Sequence, residues 1–185
     1  MKKVVFAAVA VVLFGISYAQ EVKFGAKGGL NLSTLSGDDD TAMKVGFQVG
    51  GFAEISVTEK FAIQPELLYS TQGTKYDGTG DPSLHLDYLN IPVMAKFFVT
   101  EGLSLEAGPQ VGFLLSAKLK TDAGDADFKE YVNSTDFGLN FGVGYDVTDN
   151  ISLGVRYGFG VSDVNKEGNN SIKNSNFSFA LGYKF

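Results

Sequence analysis

The stretch NFSFALGYKF, residues Asn176–Phe185, decides the fold. Successive side chains of a β-strand point to opposite faces. One face of this stretch is therefore apolar and mostly aromatic: Phe177, Phe179, Leu181, Tyr183 and Phe185. In water such a strand invites pairing with other chains, whereas a closed barrel in lipid has no free edge and needs an apolar exterior. The stretch predicts the closing strand of a membrane barrel, paired with Val22–Leu32.

The same alternation recurs in seven further segments: Val22–Leu32, Lys44–Thr58, Lys60–Lys75, Leu86–Val99, Leu103–Ala117, Phe137–Val147 and Ile151–Val161. We expect no Asp, Glu, Lys or Arg on their apolar faces, because a charge at the bilayer midplane costs roughly 2–4 kcal/mol. A soluble lipocalin-type barrel would have the opposite polarity. The predicted fold class is all-β: an eight-stranded antiparallel up-and-down transmembrane β-barrel of the outer-membrane type.

Short and long connections alternate between these segments. The tight links are Thr58-Glu59, Thr100–Gly102 and Thr148–Asn150, and the longer polar loops are Ser33–Met43, Tyr76–His85, Leu119–Asp136 and Asp163–Ser175. In outer-membrane barrels the short turns are periplasmic and the long loops are external. This alternation predicts periplasmic termini and four exposed loops.

Acidic residues concentrate in three of the loops, at Asp38–Asp40, Asp77–Asp81 and Asp122–Glu130. None of these runs has the twelve-residue pattern of a Ca²⁺ loop, so solvated surface loops are favoured and no metal site is predicted. If the loops bind anything, a divalent cation bridging to lipopolysaccharide is the ligand we consider.

The N-terminus has the pattern of a secretory signal peptide. Lys2 and Lys3 precede the 13 apolar residues Val4–Ile16, and Ser17-Tyr18-Ala19 forms a cleavage site. The apolar run is shorter than the roughly 20 residues that span a bilayer, although a retained anchor is the alternative. We predict a cleaved signal peptide over residues 1–19 and one barrel domain over residues 20–185. The exported chain would carry 13 basic and 21 acidic residues, which argues against a nucleic-acid partner.

Several ordered stretches carry a family resemblance: Gln64–Gly73, Tyr88–Lys96, Glu106–Gly112, Gly142–Tyr145 and Arg156–Gly158. Together they resemble the PorT-like outer-membrane β-barrel family, often labelled "porin family protein". The resemblance implies an eight-stranded barrel in a Gram-negative envelope without an assigned activity. A minority of the family, the PorT proteins, is linked to type IX secretion and gliding, so a secretion-associated role is one alternative. Ending on Phe185 resembles the C-terminal signal of barrel-assembly clients, which makes that machinery an expected partner. The predicted signal consists of five alternating residues: Phe177, Phe179, Leu181, Tyr183 and Phe185.

Six charged residues are predicted to face the lumen and to meet near its middle: Lys27, Glu54, Glu66, Lys96, Glu106 and Arg156. Eight strands enclose a space that side chains just fill, and opposite charges there should pair. Lys96 and Glu106 flank one turn and should lie opposite each other, and Ser116 shares the inward face of its segment. A filled polar lumen is favoured over a narrow solute path.

Catalytic chemistry finds little support in the sequence. Glu66 and Glu106 lack an accompanying nucleophile or metal ligand, so charge neutralisation explains them. His85, the only histidine, is expected in a loop beside Ser83 and Asp87, but a triad is defined by arrangement in space. We therefore predict no enzyme, no cofactor and a monomer that contacts outer-membrane lipids and lipopolysaccharide, with a structural or interaction role through its loops. Narrow porin-like transport is the alternative, followed by a lipid-modifying enzyme.

Overall fold

The computed structural model describes residues 21–36, 41–76, 82–121, 124–166 and 171–185. Within these ranges the chain forms nine strands: β1 Val22–Ser36, β2 Thr41–Thr58, β3 Phe61–Tyr76, β4 Ser83–Phe98, β5 Leu103–Thr121, β6 Gly124–Asp127, β7 Thr135–Asp146, β8 Ile151–Gly160 and β9 Lys173–Lys184. A short 3₁₀ turn covers Lys129–Tyr131. No helix in the described ranges is both long and apolar enough to cross a membrane. The predicted signal peptide lies outside the described residues.

Eight of the strands close into an antiparallel barrel. The neighbour order is β4-β3-β2-β1-β9-β8-β7-β5, and the β4–β5 pairing completes the circle. The seam between β1 and β9 runs from Gly25 opposite Lys184 to Ser36 opposite Lys173, and the Phe185 amide donates to the Phe24 carbonyl. The short strand β6 folds back on the end of β5 outside the circle. The predicted eight-stranded fold and its seam are confirmed.

An apolar belt covers the outside of the barrel, as Phe24, Phe47, Phe141 and Leu181 illustrate with exposed fractions of 49–60%. The expectation that the apolar faces carry no charge is wrong at two positions. Asp87 pairs in register with Thr71 and Ser116, and Lys75 is exposed near the end of β3. Both residues lie near strand ends beyond the apolar belt, where their neighbours are polar side chains and not lipid.

Strands β1, β2, β4 and β5 extend further toward the loops than the sequence predicts. β1 to β5 contain 15 to 19 residues, whereas about 9–11 cross a membrane. Pairing between β3, β4 and β5 continues past the belt and includes His85, opposite Gly73 and Lys118. The placement of His85 in a loop is therefore wrong: the residue belongs to β4.

A bulge in β5 changes which residues face inward near the loop end. Tyr88 pairs with Leu114, whereas the preceding residue Asp87 pairs with Ser116, so β5 contains one extra residue here. Ala117 is consequently buried, and Ser116 lies on the outer face with Asp87. The expected inward position of Ser116 is wrong because strict alternation does not hold across a bulge.

Candidate functional site in the barrel lumen

Arg156 occupies the centre of an ion-pair network inside the barrel, which we call the charge layer. Its guanidinium donates Nη1 to Glu66 Oε2 and Nη2 to Glu66 Oε1, both at 3.0 Å, and Nη2 also donates to Glu106 Oε2 at 2.8 Å. Lys27 Nζ reaches Glu66 Oε1 at 2.9 Å. Glu66 therefore accepts from two cations, and its side chain is fully buried.

Lys96 extends the charge layer toward the turn end of the barrel. Its ammonium contacts Glu54 Oε2 at 2.5 Å and Glu106 Oε1 at 3.8 Å, and Lys96 and Glu106 are register partners. Lys184 then bridges Glu54 and Asp146, at 2.9 Å each. All eight charged residues of the layer are thus connected, with four cations and four carboxylates. A buried charge is tolerated when it is paired in this way.

The structure brings all six sequence-predicted lumen residues together and adds two that sequence reasoning omitted from the network. Asp146 and Lys184 lie on the inward faces of β7 and β9, so alternation alone carried the signal for both. They were missed because each is next to a strand end, where a side chain is as often exposed to solvent as directed into the lumen. Lys184 connects the seam strand β9 to Glu54 of β2 and to Asp146 of β7, each two strands away in the barrel.

Small side chains on β7, β8 and β9 leave the space that the charged side chains fill. A Cβ atom at Gly144 would lie 2.5 Å from Glu106 Oε1 and 2.7 Å from Ser104 Oγ. Three of the four carboxylates of the layer stand on β2, β3 and β5, and Arg156 reaches across from β8 to β3. The size difference between the two walls fills the lumen without narrowing the barrel.

A second layer of amides lies on the loop side of the charge layer, and we call it the amide layer. Asn31 Nδ2 donates to Ser70 Oγ at 2.9 Å, and Gln72 Nε2 donates to the same oxygen at 2.9 Å. Asn174 Nδ2 donates across the lumen to Gln72 Oε1. Beyond the ion pairs, the lumen is therefore filled by uncharged side chains that are hydrogen-bonded to one another.

The loop end of the lumen is closed by a third, apolar layer, the cap. Its buried members are Leu35, Leu84, Leu86, Tyr88, Leu114, Ala117, Val132 and Val164. The last two come from the loops after β6 and β8, which are joined by a bridge between Val132 and Asn165. The expectation of a polar lumen therefore holds for the turn half and the middle of the barrel, while the loop end is apolar. Val132 and Val164 lie in loops, so the period-two pattern gives no sign that these two residues complete the cap.

Cavities inside the barrel are small. One of about 30 Å³ lies beside the charge layer, and one of about 20 Å³ lies in the amide layer; a cavity needs roughly 10–15 Å³ to hold one water. At the turn end an open vestibule of about 1010 Å³ has Glu54, Asp146 and Lys184 among its lining residues. The charge layer thus forms the floor of this vestibule.

Neither a hydrolase triad nor a metal cluster is formed by the described residues. Ser83 Oγ lies 3.2 Å from His85 Nε2, but no hydrogen bond joins Asp87 to His85 among the described residues. The described ranges contain no group of three His, Cys, Asp or Glu residues that could hold a metal. Asp38–Asp40 and Asp77–Asp81 lie outside the described residues, as do positions 122 and 123 of the third acidic run.

The C-terminal aromatic residues lie on the lipid-facing side of β9. Phe177 and Phe179 pack edge to face with ring centroids 5.0 Å apart, and Tyr183 and Phe185 do so at 5.8 Å. This position suits an exterior belt. Their action as an assembly signal stays a prediction.

An apolar exterior, a closed set of eight strands and an ion-paired lumen define an outer-membrane-type β-barrel. The family model described as "Outer membrane protein beta-barrel domain" matches residues 18–166, and the chain belongs to this family. Its location is therefore the outer membrane. The predicted porin-like family is confirmed, while the narrower PorT-like assignment stays a prediction.

Solved structures of outer-membrane barrels show the same fold. Neisserial surface protein A superposes with a TM-score of 0.59 at 18% identity, covering 89% of this chain and 99% of that chain. Ail, the attachment invasion locus protein of Yersinia pestis, superposes with a TM-score of 0.54 at 16% identity, with the same coverages of 89% and 99%. A major outer membrane protein from Thermus thermophilus gives 0.50 at 16% identity, again covering 89% and 99%. No curated protein sequence matches the chain.

Proposed function

We propose that this chain is a non-conducting, non-enzymatic outer-membrane barrel that acts through its exposed loops, with its termini in the periplasm. The observation that carries the proposal is the filling of the lumen by three different layers. A transport protein needs a path, whereas here ion pairs, amides and an apolar cap succeed one another along the axis. The surface that remains for function is the one that the loops present.

The charge of the loops indicates the kind of partner. Without Asp136, which is buried in β7, the four loops contain eleven Asp or Glu residues and four Lys residues. Complementary charge favours specific encounter and raises association rates, so we propose docking to a basic surface. Ail, which shares the fold, was solved in complex with a heparin analogue, sucrose octasulfate. The acidic loops of this chain make a polyanion of that kind an unfavourable ligand.

Lipopolysaccharide is the second partner that we propose. Lys75 and Lys120 flank Ser83 in register on β3, β4 and β5, on strand ends just beyond the apolar belt. Asp125 pairs with Lys120 on β6. This arrangement offers charge partners both to lipid phosphates and to the divalent cations that bridge them.

The lumen part of the proposal is tested by conductance. The purified barrel in planar bilayers is expected to give no steady current, and a reproducible open channel would contradict it. An observation that favours the alternative, a narrow solute path, is the open vestibule of about 1010 Å³. Under that alternative, current should appear in the wild-type protein and respond to substitution of Glu54 or Lys184.

The loop part is tested by binding of intact cells to polylysine and heparin surfaces. We expect salt-sensitive retention on polylysine alone, reduced when Asp38, Asp39 and Asp40 are changed to Asn. Changing three acidic turn residues, Glu59, Glu101 and Asp149, to their amides is the matched control, because periplasmic turns are inaccessible on intact cells. Equal losses in both variants would contradict the proposed orientation and the role of the loops.

A further inference from the structure

Asp136 is a buried carboxylate that the charge layer does not neutralise. It lies near the start of β7 with only 7% of its surface exposed. It accepts a hydrogen bond from Ser162 Oγ at 2.9 Å, and Asn174 lines the same small cavity. Among the residues that the structure describes, no Lys or Arg lies within salt-bridge distance of it. A buried carboxylate without a counter-charge is strongly unfavourable.

Lys44 is also buried, near the loop end of β2, and it is engaged elsewhere. Its ammonium donates to the Gln72 carbonyl oxygen at 3.0 Å, and its attractive electrostatic partner is Asp87. Lys44 stands on β2 and Asp136 on β7, on opposite walls of the barrel. Lys44 therefore does not form a contact ion pair with Asp136.

Asp136 faces a cavity of about 20 Å³ that is lined mainly by amides and glycines, which we call the amide chamber. Its polar lining residues are Gln72, Gln110, Asp136, Asn140, Asn174 and Asn176. Two of its oxygens, Asn174 Oδ1 and Asn176 Oδ1, are buried and have no hydrogen-bond partner among the described residues. Buried polar atoms in proteins are nearly always satisfied, so these two oxygens require a donor or a cation.

The orientation of the Asn174 amide follows from its neighbours. Its nitrogen donates to Gln72 Oε1, and Gln72 Nε2 donates in turn to Ser70 Oγ at 2.9 Å. Rotating the Asn174 amide by 180° would place two oxygens in contact. The chamber consequently presents acceptor oxygens beside an uncompensated carboxylate.

We propose that the amide chamber binds one small monovalent cation of the Na⁺ class through oxygens of Asp136, Asn174 and Asn176. Carboxylate and amide oxygens are the ligands that hard cations prefer. A single carboxylate balances one positive charge, and the volume suits about one water-sized species, whereas Mg²⁺ usually keeps several waters. A water molecule would satisfy the amide oxygens but would leave the charge of Asp136 uncompensated.

Thermal unfolding of the purified full-length mature barrel in detergent tests the site, with NaCl compared against choline chloride at equal ionic strength. A ligand that binds only the folded state raises stability with its concentration. A tenfold gain in the ratio of folded to unfolded barrel corresponds to a midpoint shift of about 3–6 °C for a chain of this size. We expect such a shift in wild type and in Asp149→Asn, a matched change at an exposed carboxylate in the turn after β7, and none in Asp136→Asn.

Two further measurements keep the proposal testable if Asp136→Asn folds poorly. Gly158→Ala keeps every ligand but adds a Cβ atom 2.5 Å from Asn140 Oδ1 inside the chamber, and it should also remove the Na⁺ response. Crystals grown with Tl⁺ should give an anomalous peak beside Asp136. Equal midpoints in the two salts, an Na⁺ shift that survives in Asp136→Asn, or the absence of that peak would each overturn the site.

Discussion

Arg156 of β8 and Glu66 of β3 form a bidentate ion pair across the lumen, with two N–O distances of 3.0 Å between residues 90 positions apart. The same guanidinium also holds Glu106 of β5 at 2.8 Å. Bidentate pairs of this geometry are among the stronger polar contacts in proteins. One side chain therefore ties together three strands that are not neighbours in the barrel.

Arg156→Ala is expected to destabilise the barrel without opening it. The substitution leaves Glu66 with Lys27 as its cation and Glu106 with Lys96 at 3.8 Å. Removing one partner of a buried pair costs about 3–5 kcal/mol, and equilibrium unfolding in urea would measure the loss. Planar-bilayer recordings of the same variant should stay silent, because the amide layer and the cap remain.

Arg156→Lys provides the control for geometry. Lysine keeps the charge but lacks the planar pair of donors, so a loss smaller than that of Arg156→Ala is expected. An Arg156→Ala barrel as stable as wild type would show that the charge layer is dispensable for stability.

Gly144→Val should destabilise the barrel because its Cβ atom would meet Glu106 Oε1 at 2.5 Å. Glu106 is held by Arg156 and Lys96, so it cannot move aside without lengthening those contacts. Overpacking of this kind costs about 1–3 kcal/mol. Gly28→Val is the matched control, because Gly28 lies on the outer face and its Cβ atom would meet only the Gln48 carbonyl at 3.8 Å. Equal unfolding midpoints for the two variants would contradict the idea that small residues on β7 make room for the charged side chains.

The eight-strand closure could be read from the sequence because period-two alternation is a local property of each strand. The same parity assigns Arg156, Glu66 and Lys27 to the lumen. Their pairing is also foreseeable, since four buried cations and four carboxylates in a narrow space have few other ways to be satisfied. The same alternation places Asp146 and Lys184 on the inward face. Only the structure shows that they join the ion-pair network.

The cap and the amide chamber could not be predicted, for two physical reasons. The bulge at Leu115 changes the inward parity of β5, and no local residue pattern marks it. Val132 and Val164 enter the lumen because two distant loops pair with each other, and such contacts between remote segments leave no periodic signal. In the sequence Asp136 is one of several acidic residues in a predicted loop. In the structure β7 begins at Thr135, so Asp136 belongs to a strand.

His85→Ala is expected to leave the lipid composition of the outer membrane unchanged. Ser83 and His85 are in contact at 3.2 Å, but no carboxylate is hydrogen-bonded to His85 among the described residues, so the imidazole lacks an orienting acid. Mass spectrometry of lipid A from wild-type and variant cells would measure this. A modification present in wild type and lost in His85→Ala would instead support a lipid-modifying enzyme, and Lys118→Ala, beside His85 in register, would serve as the control.

Closure of the lumen is expected to be redundant, because each layer blocks the path by a different interaction. Tyr88→Ala removes the largest fully buried side chain of the cap, Gln72→Ala removes the amide contact across the lumen, and the pair Arg156→Ala with Glu66→Ala removes the centre of the charge layer. Each of these three variants alone should give no steady current in planar bilayers. Only the combination of all three should conduct, since a continuous wetted path then exists for the first time.

Compact mobility of unheated samples on gels would verify that every variant is folded. Current from any single-layer variant would identify that layer as the sole barrier, and silence of the combined variant would mean that the barrel wall itself is too narrow for ions.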